Sequence, residues 1–282
     1  MKNIFIKKNN YNFRFFLEQK FINKPHNSLF YIRDDKHQIH GYPNKQLSDD
    51  VISLNAYLSA QKLHRAKIGI LGPNSVLWFI ALCASIISDN VAVLLDKKES
   101  KEKLIEEIKK TDVRLLFYSP ELRLFAEEIN KRFKIKIICF EDIKSLIKKQ
   151  YRDLKLPLDV NALALIAFTS GTTGNSKAVM FSQYNILKST VINQRDYFMS
   201  SQVSFLPFSH LYCLASSLLL GLLKEKKVLI NRDLRDRFLD IYEFKPESLC
   251  IVPLLVDDLY NYIWQKIKEN HLEKSVNERI IK

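Results

Sequence analysis

The chain has 282 residues, 47% hydrophobic, 11% aromatic and 27% charged, with a formal net charge of +13. It can bury a sizeable core, and its length suits one large domain or two smaller ones. The basic surplus falls mostly in the first 160 residues, but its lysines are mixed with acids, as at 97–103 and 106–110, without an arginine cluster or an aromatic-interleaved basic stretch. That pattern describes a solvated lysine-rich surface better than a nucleic-acid face.

After an irregular N-terminal stretch, strands and helices are predicted to alternate. Val51, Leu54, Tyr57 and Leu58 mark one face of a helix that starts after Ser48-Asp49-Asp50. Residues 67–71 read as a strand, 76–87 as an apolar helix, 91–95 as a strand and 101–110 as a helix presenting Leu104, Ile105 and Ile108. Strands at 113–118 and 135–140 follow, and 151–159 reads as a linker. Beyond it come a strand at 162–168, another at 177–181, a helix from Ser182, a strand at 203–206 and a helix at 211–223. A strand at 227–230, a helix at 234–244, a strand at 249–252 and a helix from Pro253 complete the chain. Such alternation indicates crossover units and a layered α/β fold with two mainly parallel sheet subdomains, 1–159 and 160–282. The expected arrangement places the strand at 162–168 in one sheet with 203–206, 227–230 and 249–252, and the earlier units in the other.

Two long uncharged stretches, 68–88 and 197–223, are each broken by turn chemistry, at Gly72-Pro73-Asn74-Ser75 and Pro207-Phe208-Ser209-His210. The remaining apolar runs are core-helix length rather than membrane-spanning. The N-terminus, Met1-Lys2-Asn3-Ile4-Phe5-Ile6, has too short an apolar region for a signal peptide. Cys83, Cys139, Cys213 and Cys250 each sit in an apolar run with no C-x-x-C pair. Buried small hydrophobes explain them better than disulfides or metal ligands, which fits a cytoplasmic location. No metal-ligating set is identified.

The most informative segment is residues 168–178, Phe-Thr-Ser-Gly-Thr-Thr-Gly-Asn-Ser-Lys-Ala. It leaves a strand with hydroxyls at Thr169, Ser170, Thr172 and Thr173, glycines at 171 and 174, and a mobile charge at Lys177. Gly171 and Gly174 allow turns that expose backbone N–H groups, and the hydroxyls add donors, which equips the loop to hold a polyphosphate. It is not a Walker A loop, which needs the second glycine directly before the lysine and a hydroxyl after it; here Ser176 and Ala178 stand there. An ordinary Ser/Thr/Gly hairpin is the plain alternative.

The order Thr-Ser-Gly-Thr-Thr-Gly-x-x-Lys closely resembles the phosphate loop of the adenylate-forming (AMP-binding) superfamily, which includes acyl-CoA synthetases, peptide-synthetase adenylation domains and luciferases. Family members usually carry proline before the lysine and glycine after it, so Ser176 and Ala178 depart from the pattern. The segments 41–47, 68–75 and 91–96 are similar to the family's opening units. Phe205-Leu206-Pro207-Phe208-Ser209-His210-Leu211-Tyr212 resembles the segment that acyl- and aryl-CoA ligases place at the entrance to the acyl pocket. The likeness runs from about residue 40 to the end and implies the fold of the N-terminal domain of acyl-CoA synthetases. It implies ATP phosphates held by Thr169, Ser170, Gly171, Thr172, Thr173, Gly174 and Lys177, and an acyl pocket walled by His210 and Tyr212, with Cys213 beside them. By itself, His210 also reads as a residue that starts a helix beside a proline turn.

The family's activity is ATP-dependent activation of a carboxylic acid as an acyl-adenylate, followed by thioester formation with coenzyme A, with Mg2+ bridging the phosphates. Its ribose-binding aspartate, magnesium-binding glutamate and lid lysine lie downstream of the segments matched here. No Tyr-Gly-x-Thr-Glu or Thr-Gly-Asp occurs in this sequence. The expectation is therefore an N-terminal part without the C-terminal lid domain, inactive or incomplete in isolation. A truncated non-catalytic relative that binds a partner protein is the alternative, and a basic nucleic-acid-binding protein the third. The acyl segment favours an apolar or aryl acid over an amino acid, and no transmembrane segment is expected.

Overall fold

A computed structural model of the chain describes residues 8–61, 63–147, 159–169, 176–192, 199–231 and 233–272. In chain order its strands are β1 (Phe30–Arg33), β2 (Ile39–Tyr42), β3 (Lys67–Leu71), β4 (Val91–Leu95), β5 (Val113–Tyr118) and β6 (Lys136–Cys139). Then come β7 (Leu163–Thr169), β8 (Lys177–Ser182), β9 (Ser201–Ser204), β10 (Lys227–Ile230) and β11 (Ser248–Cys250). One sheet has the order β6-β5-β3-β4-β7-β8, parallel except for β8; the other has the order β11-β9-β10-β1-β2, parallel except for β2. The layered α/β class with two mainly parallel sheets is as expected.

Sheet membership differs from expectation. β7 pairs with β4, Ala92 opposite Leu165 and Val93 opposite Ile166, so the strand that leads into the glycine loop belongs to the first sheet. The N-terminal stretch is not irregular: it forms the β1–β2 hairpin, and β1 joins β10 with Phe30 opposite Val228. Each sheet thus draws strands from both sides of residue 160. The reason is non-local: a lone hairpin cannot bury its apolar face, and the open edge of β10 lies nearly two hundred residues away in sequence.

Helix Val76–Ile87 is packed on every side, with Trp78, Phe79 and Leu82 fully buried, because its apolar residues wrap the whole cylinder. One core joins this helix to Ile68, Ile70 and Leu94 of the first sheet and Phe30, Val228 and Ile230 of the second. Ser75 starts it by accepting the Trp78 N–H at 3.0 Å. On the other face of the first sheet, Leu104 and Ile108 of helix Lys101–Thr111 pack with Val93, Leu116 and Ile129. Every residue of β4 is buried, as a strand covered by helices on both faces requires.

Helix Asn44–Ala60 begins earlier than expected. Buried Asn44 holds its start, accepting the Leu29 N–H and donating to the Lys20 and Lys24 carbonyls. Ser48 does not cap; its hydroxyl bonds back to the Lys45 carbonyl inside the helix. The helix expected at 211–223 is instead a π-helical stretch, Cys213–Leu219, continued by the α-helix Leu220–Leu223. Cys83, Cys139 and Cys213 are buried and Cys250 is half-buried, all as free thiols. Among the described residues no helix is long and apolar enough to cross a membrane.

Candidate active-site cleft

A cleft of about 430 Å3 opens where the C-terminal ends of β4 and β7 face the segment that follows β9. Strand ends of parallel sheets are where α/β folds place ligands, because the connecting loops gather there. Its lining includes Asp96 just beyond β4, Thr169 at the end of β7, Ser176 before β8, and His210, Tyr212 and Cys213 beyond β9. Two segments separated by some forty residues in sequence therefore share one wall space.

The hairpin closes as expected. β7 and β8 pair antiparallel, with Thr169 opposite Lys177, so the glycine loop springs from the base of a regular two-strand ladder. Lys177 is exposed at the first position of β8. Ser170, Gly171, Thr172, Thr173 and Gly174 lie outside the described residues.

Helix Lys101–Thr111 reaches this end of the hairpin. Lys110 Nζ donates to the Ser176 carbonyl at 2.9 Å. Ser176 Oγ is buried, without a hydrogen-bond partner of ordinary geometry among the described residues, and Glu107, only 2% exposed, lies beside it in the cleft lining. Burial pushes the Glu107 carboxyl above the ordinary range, against the pull of the nearby Ser176 hydroxyl and Lys103.

On the facing wall, His210 closes a turn by donating its N–H to the Pro207 carbonyl at 3.1 Å, and its own carbonyl accepts from Leu214 at 2.9 Å. It thus begins the helical segment and also faces the cleft. Its Nε2 lies 3.1 Å from Asp96 Oδ2, linking the two sheets across the cleft floor. Donating its hydrogen bond to the Asp96 carboxylate raises the His210 pKa, outweighing partial burial. Burial alone works against the Asp96 charge, but the bonds from His210 and from the Lys98 N–H hold its carboxyl below the usual range. Tyr212 is exposed at the rim. Cys213 donates to the Leu206 carbonyl at 3.0 Å, and burial pushes its thiol up to about 12, so it is a packing residue rather than a nucleophile.

Sequence reasoning missed Asp96, Lys110 and Glu107. An aspartate directly after five apolar strand residues was a usable signal for Asp96, since strand ends carry sites. Lys110 carried none; in sequence it is one of many surface lysines. Among the described residues no group of three or more His, Cys, Asp or Glu side chains is placed to hold a metal ion.

This geometry agrees with what the chain is similar to. A family model described as AMP-binding enzyme matches residues 22–278. Long-chain-fatty-acid–CoA ligase 1 of Cavia porcellus is 26% identical over 190 residues, 61% of this chain and 26% of that protein. Long chain acyl-CoA synthetase 4 of Arabidopsis thaliana is 25% identical over 270 residues, 80% of this chain and 39% of that protein. Among solved structures, the N-terminal domain of FACL13 from Mycobacterium tuberculosis superposes with a TM-score of 0.76 at 15% identity, covering 87% of this chain and 64% of that one. The o-succinylbenzoate CoA synthetase of Bacillus subtilis gives 0.72 at 19% identity, covering 87% and 63%. The chain spans roughly a quarter to two-fifths of the length of these curated relatives. With the family model covering nearly all of it and the cleft built from the hairpin and the His210 segment, the chain belongs to the AMP-binding enzyme family.

Proposed function

We propose that the cleft takes part in activating an apolar or aryl carboxylic acid with ATP, as in an AMP-forming acid–thiol ligase. The observation that carries this reading is the shared cleft: the hairpin ends Thr169 and Ser176 face His210 and Tyr212 across it. Thr169, Lys177 and the intervening loop would hold the triphosphate by N–H, hydroxyl and ammonium donors. The acid would lie along Leu206, His210 and Leu211, whose apolar neighbours Leu94 and Phe168 suit a hydrocarbon or aromatic tail.

In the first step a carboxylate oxygen attacks the α-phosphorus, the new O–P bond forms, and pyrophosphate leaves with the electrons of the broken P–O bond. In the second a thiol sulfur, that of coenzyme A, attacks the acyl carbon; AMP leaves and the thiol proton is released. Phosphate charge would be neutralised in part by magnesium carried in on the nucleotide. What this chain contributes is position and charge: donors at the loop, and an imidazole held by Asp96 beside the acid. The free, mostly buried cysteines are consistent with a reducing cytoplasm.

The test is pyrophosphate release from ATP with a panel of fatty and aromatic acids, with and without coenzyme A. The expected result is acid-dependent release that falls in Lys177→Ala, since one positioned electrostatic group commonly accounts for about a hundredfold. ATP binding with no response to any acid would instead favour the partner-binding reading, for which exposed Val256, Tyr260 and Ile263 on helix Pro253–Glu269 supply an apolar face.

A further inference from the structure

Asn74 stands in the turn after β3, away from the cleft lining, yet it grips the segment that carries His210. Its Nδ2 donates to the Leu206 carbonyl at 2.8 Å, and its Oδ1 accepts the Phe208 N–H at 2.8 Å. The two groups flank Pro207, which has no N–H to satisfy. A carboxamide offers the same donor and acceptor as a peptide unit, so this one side chain does for the turn what a neighbouring strand would do. Asn74 is 8% exposed, and removing its amide would strand two backbone groups away from water.

The grip is doubled by ring packing. Phe208 is 1% exposed and meets the Trp78 indole edge-on, with centroids 5.5 Å apart at 61°. Trp78 belongs to the helix that Ser75 caps, so residues 74–78 hold residues 206–208 by backbone and by side chain. From that fixed point the chain turns through the Pro207–His210 bond and delivers the imidazole to Asp96.

We propose that Asn74 is a positioning residue for His210: by fixing the 206–208 turn to the first sheet, it sets the imidazole opposite Asp96 and so shapes the acyl-facing wall of the cleft. The meaning of that wall rests on the acid-activating reading above; the positioning itself does not. The charged groups that bear on His210 besides Asp96 are Lys98 and Glu99, both on the segment that follows β4, and the Asn74 amide bonds to neither.

The experiment is an NMR titration of the six histidine imidazoles in the full chain, with His210 assigned by His210→Gln. In the unmodified chain His210 should titrate above the ordinary histidine value, and Asp96→Asn should bring it down. The proposal expects Asn74→Ala to lower it as well, although Asn74 does not touch the ring. If Asn74→Ala fails to fold, Asn74→Leu carries the test: it keeps the size and adds no charge, but loses both the donor to Leu206 and the acceptor for Phe208. An Asn74 variant that melts earlier yet leaves His210 titrating as before would overturn the proposal, as would an Asp96→Asn variant with no effect. No nucleotide or acid is present in the titration. A chain that binds neither ATP nor fatty acid would thus sink the functional reading and leave this result standing.

Discussion

Replacing Lys110 with methionine removes the ammonium group that holds the Ser176 carbonyl at the root of the glycine loop. Methionine keeps most of the aliphatic stem, so the helix and its packing on the first sheet should survive. A hydrogen bond to a charged group contributes about 1.5–3 kcal/mol. Lys110 is exposed, so solvent screening reduces this to about 1 kcal/mol. If holding Ser176 sets the entry of β8, and with it Lys177, that loss weakens ATP binding about fivefold, since about 1.4 kcal/mol is tenfold. Isothermal titration of Mg·ATP into the full chain measures it. Lys109→Met is the control, because it deletes the same charge one residue away on an exposed site. Ser176→Pro, which installs the residue usual in the family, should recover most of the loss in the Lys110→Met background by restricting the backbone at that point. Equal weakening by Lys109→Met and Lys110→Met would show that only long-range charge matters, and the tether argument would fail.

Lys177→Ala should weaken ATP binding by about tenfold or more, as expected for loss of a charge-assisted phosphate contact, and should leave binding of a fatty acid alone unchanged in the same calorimeter. The stability difference between the unmodified chain and Asp96→Asn should be greatest between pH 3.8 and 6.5, the ordinary values of the two partners. The raised His210 pKa gives stability that is full below 6.5 and lost as pH rises through its folded value; the lowered Asp96 pKa gives stability that is full above 3.8 and lost as pH falls through its folded value. The His210 side chain is 56% exposed, so the difference stays below about 1 kcal/mol, and urea titrations at several pH values would detect a maximum outside that window if the pairing argument is wrong. Cys213 should resist a thiol-labelling reagent at pH 8 in the folded chain and react once the chain is unfolded in urea; rapid native labelling would contradict its burial and raised pKa.

The local elements were legible because their signals are local. Helix Val76–Ile87 followed from an apolar run behind the Gly72–Ser75 turn, and β4 from five apolar residues in a row. The β7–β8 hairpin followed from apolar runs on either side of the glycine pair. Sheet membership was not legible: nothing in residues 30–33 points to Val228 or Leu229, because backbone pairing between edge strands carries little side-chain code. The same holds in the cleft. The hairpin and the His210 segment stand out by composition, whereas Asn74 reads as one more turn residue until its amide is seen against Leu206 and Phe208. Lys110 and Glu107 are likewise ordinary helix residues by periodicity. Their roles come from the face that helix Lys101–Thr111 turns toward Ser176, which only packing decides.

The central claim is that one cleft receives a nucleotide's phosphates from the hairpin side and an organic acid from the His210 side. Hydrogen–deuterium exchange of the full chain, with Mg·ATP and a long-chain fatty acid added separately and together, tests it most directly. The account predicts that ATP slows exchange across 168–178, that the acid slows it across 206–213, and that the two together protect both segments more than either alone. Exchange that changes at neither segment, or a nucleotide effect spread over the lysine-rich surface and abolished by modest salt, would contradict it.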